Sequence, residues 1–144
     1  MLSFVATLVA PPAYYAEVSG SMESVVSGIL SACAVPNTLA DINEVVVSAP
    51  PEDRLIEETT LRAKHLLEEA NAIAPIYLAA SEVESFEGDL LIHWTTTNKR
   101  LTLISPREQD RPLKLYRRIA NGWSELTPNP VANDLSSALL WVMQ

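Results

Sequence analysis

The sequence predicts an α+β domain, an antiparallel β-meander of four to five strands with helices packed on one of its faces. Three observations carry that expectation. A helical apolar period occupies residues 52–74. A period of two runs from Pro75 to Pro128 with short turns between its runs, and a last helical stretch covers 131–143. Short turns between successive strands imply antiparallel neighbours. The 144 residues suit one domain. The sequence divides them into an extended apolar arm, 1–20, and a single α+β domain, 21–144.

The arm is read from Pro11-Pro12, which exclude a continuous helix, and from the apolar run Phe4 to Ala10, which calls for something to dock on. Residues 21–34 form a helical pattern. Met22, Val25, Val26, Ile29, Leu30 and Cys33 share one face, Ser21 suits the N-cap, and Pro36 is expected to end the helix. Cys33 on that face reads as a small core residue. Residues 37–50 are ambiguous: Val45-Val46-Val47 favours a strand, whereas Leu39 to Glu44 suits a helical turn. Over 52–74 the stripe is Leu55, Ile56, Ala63, Leu66, Leu67, Ala70 and Ile73, with Glu52 and Asp53 at the expected N-terminus and Pro75 as the stop. His65 falls just off the stripe, as a surface residue.

The strands follow. Ile76–Ala80 begins an extended run toward Ser85, and Glu87-Gly88 turns the chain. Leu90, Ile92 and Trp94 alternate with Leu91, His93 and Thr95. After Thr97-Asn98, Leu101 and Leu103 continue to Pro106. Leu113, Leu115, Arg117 and Ile119 alternate with Lys114, Tyr116 and Arg118. Asn121-Gly122 is a strong hairpin signal, and Trp123 to Leu126 forms a short return strand. Leu135, Leu139, Val142 and Trp141 of the closing helix point to the core.

Charge is segregated. The chain holds 18 Asp and Glu against 10 Lys and Arg, for a formal charge of -8. Residues 1–53 carry only acids, for a net -6. Residues 81–89 carry Glu82, Glu84, Glu87 and Asp89, and 94–118 reach +5. The acidic balance argues against nucleic-acid binding, which depends on phosphate neutralisation. The longest apolar run is too short to span a bilayer, and no basic residue precedes Arg54 as a secretory signal requires. A cytoplasmic protein without membrane contact is the expectation.

Catalytic signatures are missing. There is no Walker loop, no G-x-S-x-G and no H-E-x-x-H, and four Gly leave little for a phosphate loop. One Cys and two separated His suggest no metal centre, and no cofactor is expected. Glu82, Glu84, Glu87 and Asp89 alternate along an extended run and read best as a solvated strand edge rather than a hard-cation site. With the leucines facing the helices, His93, Thr95, Thr102, Lys114, Tyr116 and Arg118 share the other face, joined by the apolar Leu91 and Ile104. Such a face is an ordinary wet sheet surface, a protein-binding surface, or, less in keeping with the charge, an RNA-stacking platform.

The succession Glu87-Gly88-Asp89-Leu90-Leu91-Ile92-His93-Trp94, Arg100 to Leu103, Lys114-Leu115-Tyr116 and Leu139 to Val142 resembles a broad group of small bacterial helix-plus-meander proteins, over about residues 50–143. Residues 1–49 do not match the opening of that group. The resemblance carries over no catalytic residues and implies an inhibitor, immunity or antitoxin-like role. The sequence therefore predicts a non-enzymatic protein-interaction module. The binding residues would be His93, Lys114, Tyr116 and Arg118, or the acids Glu82, Glu84, Glu87 and Asp89. The alternatives are a homo-oligomeric accessory protein, dimeric through the arm or sheet face, and an enzyme with an unrecognised site.

Overall fold

The computed structural model describes residues 34–144. The arm at 1–20 and all but the last residue of the helix expected over 21–34, Cys33 included, lie outside the described residues. Within them the order is helix α1 (Ala34–Ser48), a 3-10 turn (Pro51–Asp53), α2 (Glu57–Ile73), β1 (Glu82–Phe86), β2 (Asp89–Thr95), β3 (Lys99–Ser105), β4 (Lys114–Ile119), β5 (Ser124–Pro128) and α3 (Ala132–Met143). The strands form one antiparallel sheet in the order β1-β2-β3-β4-β5. This is the α+β meander that the sequence predicts.

Residues 37–48 are helical, which resolves the ambiguity against a strand. Ala34, Thr38 and Ile42 are buried and Val45 half-buried, a spacing that makes one helical stripe. The β-branched Val46 and Val47 weaken helix propensity but are left facing solvent. The helix that Pro36 was expected to end lies outside the described residues; Pro36 itself lies at the third position of α1, in a first turn where a missing N–H removes no intrahelical bond.

The second helix starts later than its composition suggests. Pro50 and Pro51 direct the chain into the 3-10 turn, and Asp53 accepts a hydrogen bond from the Glu87 backbone N–H at 2.7 Å. Asp53 thus anchors the β1–β2 turn instead of opening a helix. Glu57 and Glu58 supply the first-turn acids of α2, and Ala74, extended before Pro75, ends it. Thr59, Ala63, Leu66, Leu67 and Ala70 are buried. Ile56 and Ile73, expected on the stripe, are exposed at its two ends, while Leu55 enters the core from an extended segment. Residues 76–80 form no strand, and β1 begins only at Glu82.

One face of the sheet supplies Leu90, Ile92, Trp94, Leu101, Leu103 and Leu115, all nearly or fully inaccessible. They pack against Leu66, Leu67, Leu135, Leu139 and Val142. Each end of the sheet is tied to a helix. At one end, Arg62 donates to the carbonyls of Pro106, Glu108 and Arg111, Ser105 donates to Thr59 O at 2.6 Å, and Asp89 accepts from Arg107 N at 2.8 Å. Gly88, at φ +87°, completes the tight turn there; a Cβ on it would lie 2.7 Å from Arg107 Cδ. At the other end, Lys99 Nζ donates to the Trp141 carbonyl at 2.9 Å and Thr96 to that of Val142. Those contacts satisfy the last carbonyls of α3 and set a cation at its negative end. Lys99 and Arg117 flank the Trp141 ring, and Trp123 closes the corner at 6.0 Å.

No helix among the described residues is long and apolar enough to cross a membrane.

Trp94 tests the core. Its side chain is wholly buried, and its Nε1 has no partner among the described residues. Trp94→Ala is expected to cost about 3–5 kcal/mol in urea unfolding. Trp94→Phe should cost far less, because it keeps the ring and removes an unpaired donor.

Candidate functional site

The face of the sheet turned away from the helices is built by register. Pairing sets three rows across the strands. Glu84, Leu91, Ile104, Lys114 and Pro128 form one, and Glu82, His93, Thr102, Tyr116 and Leu126 the next. Thr95, Arg100, Arg118 and Ser124 form the third. Leu91, His93, Arg100, Thr102, Ile104, Tyr116 and Arg118 line a concavity of about 240 Å³. Right-handed strand twist gives such a face its hollow.

Its floor is a hydrogen-bonded chain. His93 Nε2 lies 2.6 Å from Glu84 Oε2, and His93 Nδ1 lies 2.8 Å from Thr102 Oγ1. Both His93 and Thr102 are buried. The ring Nε2–H donates to the Glu84 carboxylate, and Nδ1 shares a hydrogen bond with the Thr102 hydroxyl. Every polar atom of the imidazole is satisfied. The ring is thereby fixed in place as a rigid base for the surface around it.

The predicted site residues separate into three groups. His93, Tyr116 and Arg118 come together in the concavity, with Lys114 on its flank. Glu82 and Glu84 join the same face at its β1 side, where Glu84 holds His93 and Glu82 lies 3.7 Å from Arg100. Glu87 and Asp89 do not line the concavity. Glu87 occupies the turn at φ 52°, and Asp89 is engaged by the Arg107 backbone. The four acids are therefore not one edge cluster. The donor atoms of Glu82, Glu84 and His93 lie within 4.8 Å of one another; the imidazole engages Glu84, while Glu82 has only a loose 3.7 Å approach to Arg100.

Two features escaped the sequence reading. Arg100 belongs to this face, directly opposite Arg118. Glu84 reaches His93 diagonally across the β1–β2 hairpin, a contact that follows once Glu87-Gly88 is taken as a two-residue turn and the register is counted back from it.

The imidazole chain predicts a stability effect. His93→Ala strands the Thr102 hydroxyl and should cost about 1–3 kcal/mol by urea unfolding. His93→Gln, which keeps a donor and an acceptor, should lose less.

No protein-family model, curated protein or solved structure matches this chain, so the face is read from its own chemistry.

Proposed function

We propose that the protein is a non-enzymatic interaction module that binds a partner protein through the outer face of its sheet, as inhibitors and immunity proteins do. The observation that supports this is the mixed character of that face. Leu91 and Ile104 are directly paired and only half-buried, with Lys114 next in their row; half-buried Tyr116 lies in the adjacent row, and Arg100 and Arg118 in the row beyond it. Apolar side chains beside an aromatic residue and arginines are the composition of protein-binding surfaces. The floor beneath is rigid, which lowers the entropy lost on association.

Self-association is the second reading. It is favoured by Tyr77, Leu140 and Met143, which are exposed around an apolar groove lined by Pro75, Leu78 and Leu139, with Ile73 exposed nearby.

Affinity capture from the source lysate tests the first reading. The wild-type protein should retain a partner that Leu91→Glu and Ile104→Glu both lose, with the melting temperatures of the variants checked alongside. Glu68→Lys, on the exposed side of α2, should capture as the wild type does. Loss of capture by none of the sheet-face variants would sink the proposal. For the second reading, light scattering should show a dimer that Leu140→Glu converts to monomer.

A further inference from the structure

The outer face holds a charge arrangement that its own fold does not resolve. Arg100 and Arg118 are direct cross-strand partners. Like charges in that position repel, and an anion between them relieves the repulsion. Arg100 is only weakly answered: it lies 3.7 Å from Glu82, with 37% of its side chain exposed, and donates to Thr95. Arg118 is exposed and makes no ion pair among the described residues. Both line the same concavity as Tyr116 and the Thr102 hydroxyl, with Leu91 and Ile104 at its other end.

We propose that this concavity seats an extended acidic segment of the partner protein, with one carboxylate between Arg118 and Arg100 and an apolar side chain against Leu91 and Ile104. This rests on the reading of the face as a docking surface, and it names the chemistry that docks.

Three arguments select that occupant. The volume of about 240 Å³ takes side chains, whereas a helix is about 10–12 Å across. A nucleic-acid strand presents a run of phosphates, which Glu82 and Glu84 on the same face would oppose more strongly than the single carboxylate seated between the arginines. Lastly, the row spacing sets a pattern. The apolar row and the arginine row are two rows apart, or four residues along a strand, about 13 Å at the usual rise. An extended segment running along β3 would place its apolar residue and its acid four positions apart, both directed to the sheet because side chains alternate with period two. The residue between them would lie over His93, Thr102 and Tyr116.

The experiment is a selection of short random peptides on the immobilised full-length protein, followed by binding measurements on the selected peptides. The expected outcome is enrichment of Asp or Glu four positions from an aliphatic or aromatic residue. Affinity should fall about tenfold or more in Arg118→Glu and in Arg100→Glu, and should weaken as salt is raised. Selected peptides that need Ile104 but show no acid and no dependence on Arg118 would overturn the acidic occupant and leave the docking face standing. Peptides indifferent to every outer-face variant would overturn both. Single-stranded RNA bound with the same Arg118 dependence would overturn the peptide in favour of a nucleic acid. A dimer that Ile104→Glu dissociates would assign the face to a second copy.

Discussion

The register between β2 and β3 is the constraint on which the rest of the molecule depends. It sets Ile92 opposite Leu103 and Trp94 opposite Leu101 on the buried face. The same pairing sets Leu91 opposite Ile104 and His93 opposite Thr102 on the other. A slip of β2 by one residue would turn its whole buried set outward, exposing Trp94 and turning His93 toward the helices. Core and outer surface are thus two results of one alignment. Burial of the leucines and tryptophan holds the alignment, and the surface chemistry follows from it without a separate determinant.

The fastenings at the sheet ends serve that alignment. Both depend on long polar side chains bonding to backbone carbonyls rather than on ion pairs. Arg62 gathers the β3–β4 loop onto α2, and Lys99 gathers the end of α3 onto the β2–β3 turn. Hydrogen bonds from a charged group to backbone carbonyls are among the stronger polar contacts in a protein. The outer face, in contrast, is stiffened from within the sheet, through Glu84, His93 and Thr102.

Much of this was legible in the sequence because it is local. Alternation fixed β2, β3 and β4 to their faces, Asn121-Gly122 marked the last hairpin, and Pro75 marked the end of α2. What misled was competition between local signals and distant partners. Val45 to Val47 favoured a strand and left residues 37–50 ambiguous, an ambiguity that the buried helical stripe of Ala34, Thr38 and Ile42 removes. Glu52 and Asp53 read as a helix start, but Asp53 is held by Glu87, 34 residues away. In the site, His93, Tyr116 and Arg118 were placed together by period two alone. Arg100 was overlooked because its partner depends on the count across a turn. Glu87 and Asp89 were grouped with Glu82 and Glu84 by charge, a property that does not say which backbone N–H a carboxylate will meet.

The distribution of the tryptophans has a consequence for how the molecule can be watched. Trp94 lies in the core, and Trp123 and Trp141 share the corner where α3 ends, between the cations of Lys99 and Arg117. Neither position is on the outer face. Indole emission will therefore report loosening of the core or of the helical corner. Among the described residues, Tyr116 is the phenol that lines the concavity. A change confined to the outer face and a loosening of the scaffold therefore reach different chromophores first.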